Sequence, residues 1–493
     1  MADDQEFLNE YFRDSGSEAD FDGFEAGDIV ELEENDYPTF EIVDLDNDDD
    51  IARDLATGWT RHRIEDLIPP FTGDSGLKVN IANDALPLEY FQLFKNDDVF
   101  ANIAVETNRY FEQCRAYRGI NLKPFARMNL WCDTSVSELK QFFGLTILTG
   151  LIERSSLYDY WTTDHLTQTP VFGKTMPRDR FFNLLSFIHL SNNETALPRG
   201  DEAYDPVYKV RPIYDVLSQK FRTVYIPEEN ISIDEGMVTW KGRLSFRQYL
   251  PNKPDKFGMK LYILCESTSG YMCDLDIYTG KDYDPNPDRE EESCLGHSFN
   301  VMMGLLRGAD LLNKGYTLFT NNYYCKSTLF DTLRAEDTLA VGTVRKNRKE
   351  MPVALTRKLK KGQEMCRMRG SLLTVKWTDK RDVYMLSTKH EPTMSLTNKV
   401  DRTMGEPIVK PTVIIDYNRN MGGVDLADQL GKYYTITRRT LKWWLKLFFH
   451  MMNLAITNAY ILHKKNSRAP LSHYKFRREL AAAHIKSHVS RNL

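Results

Sequence analysis

The apolar residues of this chain change their spacing at Pro227, and that change excludes a fold made of helices alone or of strands alone. Before it, Leu88, Tyr90, Phe91 and Phe94 recur at helical spacing, and Val99 to Tyr110 continue the pattern, so order is expected to begin near Leu86. Ser135 to Leu151 is amphipathic, with Ser135 and Ser137 as candidate caps and a stop near Gly150. Residues 176–225 read as further helices. Beyond Pro227, Ile231–Ile233, Gly258–Cys265, Tyr271–Tyr278 and Tyr316–Thr320 are short strand-like runs punctuated by Gly, Pro and Asp. Helical stretches at 296–308 and 324–334 make this half mixed α/β. Residues 345–410 read as an insertion: they open on Arg345, Lys346, Arg348 and Lys349, carry β-like runs at 371–377 and 383–387, and are followed by an expected strand at Val413–Ile415 and a helix. At 493 residues the chain can hold two or three structural units.

Charge is divided as sharply as spacing. Residues 1–50 hold 20 Asp and Glu against Arg13 alone, a charge of −19, which leaves +13 on the rest of a chain whose net charge is −6. Such an acidic stretch is expected to stay extended, and its interleaved Phe7, Leu8, Tyr11, Phe12 and Phe21 make it either a solubilising tail or a segment that recruits protein partners. A basic body suits a polyanion such as DNA. The 7 Cys are odd in number and never paired as C-x-x-C, so neither a disulfide framework nor a zinc site is expected. The N-terminus lacks secretory signal architecture. Leu441 to Leu462 is apolar but interrupted by Lys442, Lys446, His450, Asn453 and Asn458, which predicts a buried helix and no membrane partner.

A phosphodiester-cleaving site needs carboxylates from distant positions, because paired divalent ions must bridge the attacking and leaving oxygens, and oxygen ligands suit Mg²⁺. Asp234, closing the run Ser232-Ile233-Asp234-Glu235, is one candidate. Asp425 and Asp428 sit i, i+3 on one helical face, behind a Gly422-Gly423 pair that permits close approach. Taken singly, each acid is as readily a helix cap or surface charge.

Several separated motifs then fall in one order: Thr107-Asn108-Arg109-Tyr110; Ser232-Ile233-Asp234-Glu235; Tyr249-Leu250-Pro251-Asn252-Lys253-Pro254 with Lys256, Gly258 and Lys260; Gly342-Thr343-Val344-Arg345 with Asn347 and Pro352; and Tyr417-Asn418 with Met421-Gly422-Gly423-Val424-Asp425. Over roughly residues 85–465 this resembles the piggyBac transposase family. The resemblance implies an α/β protein with an RNase H-like catalytic core, an inserted β-rich domain, and a flanking, mainly helical dimerisation and DNA-binding domain. Its expected divisions are an acidic, largely disordered 1–84; a helical domain at 85–228 and 436–493, ending in a basic tail; a core at 229–345 and 411–435; and an insertion at 346–410. Active members cut and paste DNA at TTAA sites with Mg²⁺ held by Asp residues. By motif, Asp234 and Asp425 would hold the metal and Asp428 would support them; Lys253, Lys256, Lys260, Arg345, Lys346, Arg348, Arg438 and Arg439 are the candidate DNA contacts.

The family's second catalytic Asp lies in an Asp-Asn-aromatic-aromatic motif, and here that stretch is Asn321-Asn322-Tyr323-Tyr324. An amide brings no negative charge and only one oxygen. Asp331, the nearest following acid, is too distant in sequence to replace it. No Cys follows Cys366, so the family's C-terminal zinc-binding cross-brace is not expected, although Lys432 to Leu493 remains strongly basic and could track phosphates or serve as a nuclear address. The expected function is thus a nuclear, dimeric, transposase-derived DNA-binding protein with impaired cleavage. The alternatives are an active TTAA transposase and a protein-interaction scaffold on a relic fold.

Overall fold

The computed structural model describes residues 48–61, 68–95, 97–118, 126–251, 256–280, 283–286, 289–400, 405, 407–436 and 440–486. The acidic positions 1–47 and three candidate DNA contacts, Lys253, Arg438 and Arg439, lie outside the described residues.

Helices give way to strands at Pro227, as the spacing predicts. The helical part comprises α1 (Asp48–Ala56), a short helix at Pro87–Gln92, α2 (Asp97–Arg118), α3 (Val136–Leu151), α4 (Arg178–Phe187) and α5 (Arg211–Val224). Ser135 is the cap of α3, its hydroxyl accepting from the Glu138 amide. Beyond Pro227 come β1 (Asn230–Thr239), β2 (Phe257–Glu266), β3 (Met272–Ile277), α6 (His297–Gly308), β4 (Thr317–Thr320), α7 (Ser327–Ala335), β5 (Leu339–Thr343), β6 (Glu364–Arg369), β7 (Leu372–Thr378) and β8 (Asp382–Ser387). They build a nine-stranded sheet in the order β2-β1-β4-β5-β8-β7-β6, with β3 and the two-residue strand Gln248–Tyr249 sharing the outer edge of β2. The ladders β1–β4 and β4–β5 are parallel and the others antiparallel.

The segment 346–410 supplies strands β6 to β8, which continue the main sheet through Met385 opposite Thr343, and a separate hairpin from Met394–Val400 and Pro407–Pro411. The structure corrects two expectations. Val413–Ile415 is not a strand. It belongs to helix α8 (Thr412–Asn420), where Val413 and Ile414 join Phe319, Val341 and Trp377 in an apolar cluster. A short β-branched run carries no period that separates the two states. Packing also starts well before Leu86: α1 is helical and Trp59 is 1% exposed, within the region 1–84 expected to be largely disordered.

After α8 the chain forms α9 (Gly423–Tyr433), the long α10 (Trp443–Asn466) and α11 (His473–Lys486). No helix among the described residues is long and apolar enough to cross a membrane. α10 is instead buried on nearly all sides, and each large apolar side chain it hides, such as Leu447, Phe448 or Met452, stabilises the fold by about 1.5–3 kcal/mol. Its polar interruptions are matched. The Asn458 amide donates to the Met272 carbonyl and accepts from the Met272 amide, both at 2.9 Å, as an extra rung on β3. Lys465 pairs with the fully buried Glu266 at 2.9 Å. Trp444 is core, and Trp443 packs edge-on against Phe246 at 5.5 Å.

Candidate active site

Parallel pairing assembles the site. In the β1–β4 register Ile233 lies opposite Thr320, so the residues that follow lie side by side: Asp234, midway along β1, and Asn321, just past the end of β4. The Asn321 Nδ2 donates to Asp234 Oδ1 at 2.7 Å and to Glu235 Oε2 at 3.3 Å. Its own oxygen accepts from the Tyr323 amide at 2.9 Å. That fixes the amide: turned over, its oxygen would face two carboxylates and its NH₂ a backbone N–H. Asp234 Oδ1 also accepts the Glu235 amide at 2.7 Å.

Glu235 carries no role in the sequence reading, because neighbours on a strand point to opposite faces. The structure nonetheless brings both carboxylates to the Asn321 amide. Lys260 Nζ lies 3.3 Å from Glu235 Oε1. Burial alone would raise the Glu235 pKa, but its hydrogen bonding with Asp234 and the Lys260 ammonium outweigh burial and shift it downward. Lys260 is itself buried, its ammonium 4.5 Å from the Tyr262 ring centre and 4.8 Å from that of Tyr323. It therefore faces an internal carboxylate and two rings, not solvent phosphate. Tyr262 in turn shares a 2.6 Å hydrogen bond with His297 Nε2, whose pKa is lowered by burial and by Lys260.

The third part arrives on α9. At Gly423 a Cβ would stand 2.4 Å from Ser232 Oγ and 2.9 Å from the Glu266 carbonyl, so only glycine lets this helix reach β1. Asp425 follows in the first turn, exposed, and Asp428 lies half-buried one turn on. Burial chiefly, and then the charges of Cys325, Asp234 and Asp425, push the Tyr417 hydroxyl up, against a hydrogen bond with Thr343 that lowers it. Asp428 and Asp425 both act on the Cys265 thiol, raised mainly by burial. Asp234 and Asn321 thus meet between β1 and β4, and α9, which carries Asp425 and Asp428, packs against β1 and β2.

Among the candidate DNA contacts, Lys256 and Lys346 are exposed. Arg345 Nε and Arg348 Nη2 reach back to the strand-end loop, to Asn322 Oδ1 at 3.2 Å and to the Asn322 carbonyl at 2.6 Å. Asp331 is occupied elsewhere, in an ion pair with Arg369 at 2.6 Å.

These residues do not fit a pair of divalent ions. The Asn321 face turned to Asp234 is a donor, Glu235 is matched by an ammonium, and no group of three or more His, Cys, Asp or Glu able to hold a metal occurs among the described residues.

This sheet, with an acid and an amide on neighbouring parallel strands and a covering helix that carries further acids, is that of a DDE-type transposase domain. A family profile described as "Transposase IS4" matches residues 86–460, and the chain belongs to the piggyBac-type branch of that transposase family. It is 27% identical over 418 residues to the human PiggyBac transposable element-derived protein 3, covering 82% of this chain and 65% of that protein. The same identity over the same length relates it to the human Chimeric ERCC6-PGBD3 protein, with 82% of this chain and 36% of the chimera covered. The chain thus spans less than two thirds of either relative. A solved structure, a piggyBac transposase synaptic complex with hairpin DNA, superposes with a TM-score of 0.69 at 25% identity, over 85% of each chain.

Proposed function

We propose that this chain is a piggyBac transposase-derived DNA-binding protein, working as a nuclear homodimer around an RNase H-like core, in which strand cleavage is impaired at Asn321. The observation that carries this reading is the Asn321 amide donating to Asp234 where a catalytic pair would present two carboxylates to a cation. Replacing a carboxylate by an amide removes one negative charge and turns a donor toward the remaining acid, both of which oppose metal binding. Retained DNA binding is supported by the likeness to a transposase captured on hairpin DNA and by the exposed Lys256 and Lys346. The site's remaining residues have a positioning role: Lys260 neutralises Glu235, and Arg345 and Arg348 tether the loop that carries Asn321.

The test is fluorescence anisotropy with TTAA-flanked duplex across a salt series, beside a cleavage assay in Mg²⁺ or Mn²⁺. The expected result is binding that weakens steeply as salt rises, without strand cleavage. Excision by the unaltered chain would establish the active-enzyme alternative, and absence of salt-dependent binding would establish the scaffold alternative.

A further inference from the structure

The acidic N-terminal stretch does not end in solvent; its last part is built into the face that carries the basic turn 345–350. α1 and the residues after it dock there through complementary charge. Arg357 donates twice to Asp50 Oδ2, at 2.7 and 2.6 Å. Asp54 accepts from the Val353 amide at 2.6 Å and pairs with Arg367 at 3.2 Å, both side chains almost wholly buried. Thr60 then exchanges backbone hydrogen bonds with Met368, at 2.7 and 2.8 Å, adding a rung to the free edge of β6.

Trp59 lies between these anchors. Arg369 stacks over its ring at 5.1 Å, and its indole Nε1 donates to the Glu350 carbonyl at 2.9 Å. Glu350 has φ +69°, a left-handed conformation that non-glycine residues adopt at a cost and that needs a partner to hold it. Glu350 ends the turn that presents Arg345, Lys346 and Arg348, and the turn's other side is fastened to Asn322 and Tyr323, the neighbours of Asn321. One line of contacts therefore runs from the indole of Trp59, through a strained carbonyl and a basic turn, to the loop beside Asp234.

We infer that residues 48–60 are a brace for the basic turn, and that Trp59 is a positioning residue which holds Arg345 and Arg348 in register with the strand-end loop. The consequence for DNA affinity rests on the DNA-binding reading above; the bracing itself does not. The acidic segment acts on the site without touching the nucleic acid, by fixing the place of cations that do.

The experiment uses the full chain. Trypsin cuts after Arg345, Lys346, Arg348 and Lys349 only when the turn opens, so the rate of appearance of those fragments by mass spectrometry reads the brace directly. Trp59→Phe keeps the ring over Arg369 and deletes the donor to Glu350. It is expected to speed cleavage at 345–349 about tenfold relative to the unaltered chain, with cutting in the remote 241–247 loop unchanged. Asp50→Asn, which weakens the ion pair with Arg357, gives a smaller acceleration at the same bonds and serves if Trp59→Phe does not fold. Cleavage rates at 345–349 within twofold of the unaltered chain in the folded variants would overturn the inference. Anisotropy on the same samples separates the two readings: a parallel loss of DNA affinity supports the brace acting on the site, whereas failure of the unaltered chain to bind DNA defeats the DNA reading and leaves the outcome of the proteolysis to decide the brace by itself.

Discussion

The Asn321 side-chain amide donates to Asp234 Oδ1 across 2.7 Å, and the same NH₂ reaches Glu235 Oε2 at 3.3 Å. Asn321 is thus a neutral donor shared by two acids. Restoring the family's carboxylate with Asn321→Asp crowds a third carboxyl group there. Without metal the variant is expected to lose about 1–3 kcal/mol of stability relative to the parent. Mg²⁺ or Mn²⁺ should recover it. Differential scanning fluorimetry in EDTA and in millimolar Mn²⁺ reads this: a melting temperature raised by metal in the variant but not in the parent is the expected outcome.

Gly423 sets the height of α9 above β1. Gly423→Ala forces a methyl into the Ser232 hydroxyl at 2.4 Å and toward the Glu266 carbonyl, so the helix must lift and carry Asp425 with it. The expected cost is about 1–3 kcal/mol, measured by chemical denaturation. Gly422→Ala, at an exposed position with nothing within 4 Å of the added carbon, should be far milder.

Asn458 closes both hydrogen-bonding groups of Met272 from a helix 186 residues away in sequence. Asn458→Leu preserves volume but leaves a buried N–H and C=O without partners, at a cost of about 2–4 kcal/mol. Hydrogen exchange at the Met272 amide should accelerate accordingly, and unchanged protection there would contradict the role.

Buried histidines, His484, His473 and His189 among them, shape the acid limb of stability. Burial lowers the pKa of His484 to about 3, with Lys95 and Lys140 adding to it; His473 falls to about 3 through burial and Arg477, and His189 to about 4, mainly through burial. Each therefore binds its proton more readily in the unfolded chain. The stability they contribute is complete above pH 6.5 and is lost as pH falls toward 3–4. Between pH 6.5 and 5 the melting temperature should drop. His484→Phe, which keeps the ring among Phe91, Phe100 and Phe143, should remove up to about 1.4 kcal/mol per pH unit from that slope.

What the amino acids alone make legible is whatever depends on local spacing. The switch at Pro227, the cap at Ser135 and the strands that lead to Asp234 and Asn321 can all be read there, because apolar period and motif order are properties of contiguous residues. Glu235 cannot, since its arrival at the Asn321 amide depends on how the middle of β1 meets the loop after β4. Lys260 reads as a phosphate contact because sequence cannot tell a lysine in solvent from one aimed at a buried carboxylate. Val413 and Ile414 mislead because the sheet face they cover comes from β4, β5 and β7. The acidity of residues 44–50 predicts repulsion, and nothing local announces that Arg357 and Arg367 arrive to meet Asp50 and Asp54.

Long sheets are exposed at their ends, where unpaired backbone invites strands of other molecules. Here the outermost ladders are each met from outside, β3 by the amide of Asn458 and β6 by the backbone of Thr60. Lengthwise growth by a visiting strand must first evict a resident rung, so crowded copies of this chain are guarded against fusing sheet to sheet.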